Sequence, residues 1–334
     1  MSSFSSALAL VLTLSGLAGA AGAEEDESEA PRRAFRADHM ILDAALRGDR
    51  VFVATQSGRV EAYDWRKGTK LEAPLSLLPG PGRDLPPTIS CVAVAPGGLR
   101  AAAASSDEQL WFFDPEGHGK ELPPPLSTSG SVLACRFLDD RHLLLGNMRG
   151  ELALVETDGG QEVYRRQLDY DPIYAISVSP DRSRVAIALR SSRIRVVDAR
   201  SGRTLQVLEG HRDSVFALCW ADDGVLISGS KDKRILYWDL TLDPPRSRTL
   251  YQGDRYVTAV AIDPAGTRLA ATLEDHAIGL IELGTGRILR QLAGHTAPIQ
   301  ALAFTSEGRN LISAGNDARL LVWNLENPEE ETGP

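Results

Sequence analysis

Seven times along this chain a short apolar run opens on Ile or Val in the pattern apolar, x, small, apolar, x, apolar. The anchors are Ile41, Ile89, Val132, Ile173, Val215, Val257 and Ile299, and the steps between them are 48, 43, 41, 42, 42 and 42 residues. A period of this length that tiles a chain marks one supersecondary unit, copied and stacked because no copy buries its apolar surface alone. Two copies are plainly alike: "GHRDSVFALCWADDGVLISGSKDKRILYWD" from Gly210 and "GHTAPIQALAFTSEGRNLISAGNDARLLVWN" from Gly294. Superposing them brings Ser228 near Ser313, Asp232 near Asp317 and Trp238 near Trp323.

Each copy continues with a second run ("VFVAT", "RVAIAL", "LAATL"), a tight polar turn and a third run ("RVEAYDW", "LWFFD", "IGLIEL"). Short runs rich in β-branched and aromatic residues, bounded by Gly, Asp, Ser and Pro, read as strands joined by turns. Helical periodicity is almost absent. Many runs are apolar on consecutive positions, which requires strands covered on both faces. Small sheets packed radially between two neighbours supply that cover, and the ring they form accounts for 334 residues as one domain. The predicted fold is all-β: a single seven-bladed β-propeller of four-stranded antiparallel blades over residues 31–326. The last copy has three strands and stops at Leu325, while "RRAFRAD" at 32–38 belongs to no copy. That N-terminal segment is predicted to complete the last blade and close the ring. Pro-rich stretches at 78–87, 121–127 and 242–246 fall between copies, where missing ladder donors are tolerated.

A net charge of −9 argues against nucleic-acid binding, which needs a basic face. The first 23 residues carry no Asp, Glu, Lys or Arg, hold an apolar core from Ala7 to Leu17, and end in "AGA" before the acidic "EEDESE". They read as a secretory signal peptide cleaved near Ala23, followed by an acidic disordered segment at 24–30; a polar tail at 327–334 ends the chain. The n-region lacks Lys and Arg, so an uncleaved anchor or a leader on a cytoplasmic protein remains the alternative. The apolar stretch is short for a membrane span, and none is expected in the mature chain. Arg far in excess of Lys points to a GC-rich genome, and hence to bacterial export to the periplasm or envelope. Cys91, Cys135 and Cys219 each occupy the first strand of a different copy. They are expected to be three buried thiols, with one disulfide as the alternative, because strands of separate blades rarely come within bridging reach.

On these residues the sequence resembles the WD-repeat β-propeller family, with two copies carrying the full signature and five degenerate. The resemblance implies hydrogen-bonded structural tetrads: His211, Ser228, Asp232 and Trp238 in copy five, and His295, Ser313, Asp317 and Trp323 in copy seven. Such a tetrad would satisfy four buried polar groups at once. Elsewhere the signature fails. Copy two keeps Asp107 but has Phe113 for Trp; copy six keeps Asp275 but has Gly253-Asp254 and Ile281; copies one, three and four have Ser57, Arg149 and Ser191 at the turn Asp. Six or eight blades therefore stay open beside seven. The resemblance also implies partner binding on the upper face, formed by the loop before the first strand and the turn before the third. Carried over, it gives Leu133, Met148, Tyr174, Arg190, Phe216, Lys231 and Tyr256, an aromatic-plus-Arg composition like that of an interface hot spot. An arginine cluster in copy four (Arg182, Arg184, Arg190, Arg193, Arg195, Arg200, Arg203) is a second candidate surface for an acidic partner, or a solvated outer strand.

No G-x-S-x-G, H-E-x-x-H or phosphate-cradling loop occurs, and the histidines outside the tetrads are scattered. No catalytic residue, metal ligand or cofactor is expected. The reading is a non-enzymatic protein-interaction scaffold, a monomeric propeller within a complex whose partners are other proteins. The alternative is a ligand-binding or catalytic propeller that uses the central channel.

Overall fold

The computed structural model describes residues 30–79, 84–116 and 125–326. The leader at 1–23, the acidic segment up to 29, the tail at 327–334, and parts of the first two Pro-rich stretches lie outside the described residues.

Seven antiparallel sheets form a ring, and each starts at one of the seven sequence anchors or, in blade six, three residues after it. Blades two to six use four consecutive strands; blade five, for example, runs Val215–Trp220, Val225–Ser230, Arg234–Asp239 and Arg246–Gln252. In blade one the outer strand is broken into Thr69–Lys70 and Leu75–Ser76, both paired with Arg59–Asp64. A single turn of 3-10 helix, Glu274–His276, is the one helical element among the described residues. No helix there is long and apolar enough to cross a membrane.

The consecutive apolar positions have the packing reason anticipated for them. Second strands such as Ala101–Ser105 and Asn310–Gly315 are buried at every residue, because both faces of each blade meet a neighbour. The core is accordingly seven apolar clusters, each shared by two adjacent blades. Trp323, 1% exposed, sits in the wedge between blades six and seven.

The first and last described strands pair in blade seven. Arg33–Arg36 pairs antiparallel with Arg319–Asn324, in register from Arg33 opposite Val322 to Arg36 opposite Arg319. The segment at 32–38 thus completes the last blade. Its exit into blade one is held by a network absent from the sequence reading. Glu61, fully buried on the third strand of blade one, accepts from the Asp38 backbone N–H (3.2 Å) and from the Tyr63 hydroxyl, and pairs with Lys70 at 2.9 Å. Lys70 also reaches Asp38 (3.0 Å), as does Arg59 (3.2 Å). The Lys70 hydrogen bond and charge hold the Asp38 carboxyl below the usual range, while burial and then Glu61 push the Tyr63 hydroxyl far up. Lys70→Met leaves two neighbouring carboxylates, one of them buried, without their ammonium. It is expected to lower stability by about 2 kcal/mol at neutral pH in a denaturant titration. A loss below about 0.5 kcal/mol, the ordinary level for a surface change, would show that this network is not a closure element.

Candidate functional site

The face on which each chain segment enters its innermost strand is built from a repeated backbone device. In blades one to five and seven the pairing of the first two strands slips after the anchor, so Leu42, Ser90, Leu133, Tyr174, Phe216 and Gln300 are each left opposite no partner. A bulge of this kind re-aims one side chain out of the ladder. Three of the residues expected on the upper face, Leu133, Tyr174 and Phe216, occupy it.

The structure brings several of those residues together. The Tyr174 and Phe216 rings lie 5.4 Å apart at 54°, both half-buried. The Lys231 ammonium sits 5.9 Å from the Tyr256 ring and 3.5 Å from Asp213. Burial raises the Tyr174 hydroxyl, against the lowering influence of Arg190 and Lys231. Arg190 is exposed and makes no ion pair among the described residues. Met148 is 40% exposed and Leu133 is half-buried. Tyr170, 89% exposed in the loop that leads to Ile173–Val178, belongs to the same face and was not anticipated. Its signal was the aromatic repeat in "DYDPIY", since a loop tyrosine with no apolar neighbour has nothing to bury against.

Three of the seven arginines of the cluster are paired by the protein itself. Arg193 pairs with Glu209 (3.3 Å), Arg195 with Asp169 (3.1 Å) and Arg200 with Asp139 (3.3 Å), while Arg184 stacks 5.2 Å over Trp220. Arg182, Arg184, Arg190 and Arg203 are left without an ion pair among the described residues. No group of three or more metal-ligating side chains gathers there either.

Behind this face lie the residues of the two expected tetrads. In blade five His211 Nδ1 is 3.0 Å from Asp232 and Nε2 is 2.7 Å from Ser228, whose hydroxyl also accepts from Trp238 Nε1 at 2.8 Å. Blade seven repeats the set: His295 to Asp317 at 3.0 Å, His295 to Ser313 at 2.7 Å, Trp323 to Ser313 at 2.8 Å. The glycine before each histidine is required by close approach, since a Cβ on Gly210 or Gly294 would lie 2.8 or 2.9 Å from the indole. Both aspartates also accept a backbone N–H from the residue after the histidine, Arg212 or Thr296, at 2.9 Å. Two further members were missed. Arg234 and Arg319 donate to the carbonyls of Gly210 (2.6 Å) and Gly294 (2.8 Å), closing the turn over the tetrad. The sequence signal was the Asp-x-Arg shared by both copies.

Other blades fill the same place differently. In blade three Asn147 and Glu151 bond each other (2.7 Å) and Ser129, with Arg165 completing the set. In blade six the turn is rearranged around the 3-10 helix, and Glu274 rather than Asp275 accepts the Asp254 N–H. The Asp107 carboxylate of blade two accepts from the Ser105 hydroxyl two residues earlier.

Burial opposes ionisation of Asp232 and of Asp317, but the histidine hydrogen bonds, the backbone amides and the histidine charge outweigh it and hold both carboxyls below their usual range. A folded value below the unfolded one means stability that is present above about pH 4 and is lost as pH falls through the folded value. Asp232→Asn is therefore expected to lower stability at pH 7 and to flatten the decline between about pH 4 and pH 2. Parallel acid limbs for wild type and variant would refute the assignment.

Two segments, 202–239 and 286–324, match the family model described as WD domain, G-beta repeat. They coincide with the blades that hold the two tetrads. The chain is also similar to the nuclear distribution protein PAC1 of Arthroderma benhamiae, 30% identical over 48% of this chain and 37% of that protein. It is similar to the APC/C activator protein CDH1 of Saccharomyces cerevisiae, 27% identical over 43% of this chain and 26% of that one. A third relative is the transcription factor unc-37 of Caenorhabditis elegans, 25% identical over 58% of this chain and 31% of that one. The chain thus spans about a third of the length of the curated relatives it matches.

Proposed function

We propose that this seven-bladed propeller, which carries WD40 repeats, is a non-enzymatic scaffold that captures other proteins on its upper face between blades three and six. The observation that carries the reading is the bulge-presented Tyr174–Phe216 pair, flanked by nearly fully exposed Tyr170 and by Lys231 against Tyr256. Rigid aromatic side chains on a closed ring bind with little ordering cost, and Tyr beside Arg is the composition that concentrates interface energy. The relatives named as an activator and as a nuclear distribution protein support an interaction or regulatory role rather than a catalytic one.

Export to a periplasm or envelope is the second part of the proposal, and it rests on the sequence pattern of residues 1–23 alone. Expression of the full chain with a C-terminal tag in a Gram-negative host, followed by fractionation, cross-linking and intact mass, tests both parts. A chain beginning at Glu24 in the periplasmic fraction, cross-linked to specific proteins, is the expected result; an uncleaved cytosolic chain would remove the export reading. Tyr174→Ala combined with Phe216→Ala is expected to reduce cross-linked partner at least tenfold, about 1.4 kcal/mol, with an unchanged circular dichroism spectrum. Undiminished capture by the double variant would exclude this face.

A further inference from the structure

We propose that Cys91 and Cys135 are an inter-blade disulfide site, which closes while the chain folds in an oxidising setting and then ties blade two to blade three at the centre of the ring. All three cysteines are free thiols in the structure, but they are not equivalent. Cys91 lies on Ile89–Val94 and Cys135 on Val132–Phe137, the innermost strands of neighbouring blades. Innermost strands converge toward the axis, and here the two thiols lie inside one apolar cluster, 1% and 0% exposed. Cys219, in blade five, belongs to a different cluster.

Three contacts fix the register of the pair. Ser90 Oγ, beside Cys91, donates to the Val132 carbonyl at 2.6 Å and joins the two strands directly. From blade one, Asp43 Oδ2 accepts the Val92 N–H at 3.1 Å and Arg136 Nη1 at 3.5 Å, and so holds the residue that follows each cysteine. Thiols held in one apolar cluster, on strands tied to each other and to blade one, are placed to bond while the chain folds.

Burial pushes the Cys91 thiol well above its ordinary value, so the folded protein holds little thiolate and exchanges slowly. Closure therefore belongs to the folding chain. With oxidised glutathione as oxidant, one cysteine thiolate attacks the glutathione disulfide and releases one glutathione. The second cysteine thiolate then attacks the mixed disulfide and releases the other. Two electrons pass to glutathione, and the two protons end on its thiols.

The test is refolding of the full chain from denaturant with oxidised glutathione or with reductant, followed by alkylation under denaturing conditions and a non-reducing peptide map. The oxidised sample is expected to lose about 2 Da, to show one Cys91–Cys135 cross-link, to leave only Cys219 alkylated, and to unfold roughly 5 °C above the reduced sample. Cys219→Ser should leave the cross-link intact, and Cys135→Ala should abolish it. Three alkylated cysteines after oxidative refolding, or a link through Cys219, would overturn the proposal. Equally fast cross-linking of the already folded protein would overturn the order of events.

Discussion

A chain that begins at Met40 is expected to lose its folded monomer, whereas one that begins at Ala30 keeps the unfolding midpoint of the longer protein. The difference is the segment 32–38. Without it, Arg319–Asn324 loses its ladder partner, the Ala318 carbonyl loses the Ala37 N–H (2.8 Å), and the Phe35 ring leaves Tyr63, 5.3 Å away. Glu61 then stays buried with one donor fewer. Several ladder hydrogen bonds at about 1 kcal/mol each, plus the apolar contact, are a large part of a total stability of roughly 5–15 kcal/mol. The exposed third strand also becomes an edge open to intermolecular pairing. Size-exclusion chromatography and thermal unfolding should show aggregate or a midpoint lower by more than about 10 °C. A monomer melting within about 2 °C of the longer chain would mean that the ring is held by its wedges alone.

The second large effect is expected at Trp323. Trp323→Ala empties a buried site in the wedge between blades six and seven and is expected to cost about 4 kcal/mol in urea unfolding. Trp323→Phe keeps most of the volume and removes the donor to Ser313, so it is expected to cost about 1–2 kcal/mol. Equal losses in the two variants would place the energy in the indole N–H rather than in packing. No loss in either would show that the tetrad of blade seven stabilises nothing. Blade six frames the comparison, since Ile281 fills the corresponding position by burial alone.

What the sequence made legible, and what it hid, divides along a physical line. The anchors, the doubly covered strands and the closing segment were readable because apolar continuity and spacing are local signals. The Glu61 network was not, because "RVEAYDW" reads as ordinary alternation and its partners Asp38 and Lys70 are defined by ring closure. The tight turn before each third strand places a residue at positive φ in all seven blades, as Gly58, Glu108, Gly150, Ser192, Lys233, His276 and Ala318. Only two of the seven are glycine, so one backbone shape is written in six residue types and leaves little consensus. That Cys91 and Cys135 share one apolar cluster was hidden for a related reason. Residues 44 positions apart read as separate until the curvature of the ring makes their strands neighbours.

The pairing of Arg33–Arg36 with Arg319–Asn324 also sets a schedule for synthesis. A ribosome delivers the closing strand before the blades and its partner after them, so the strand waits unpaired while six complete blades emerge. Nothing in those blades can seal the circle in its place. Joining segments nearly three hundred residues apart carries a larger loop-closure cost than any pairing within a blade, and contacts of such range slow folding. Maturity of this protein is thus decided in one late event, and a nascent chain that stalls short of its final blade remains an open arc with two sticky ends.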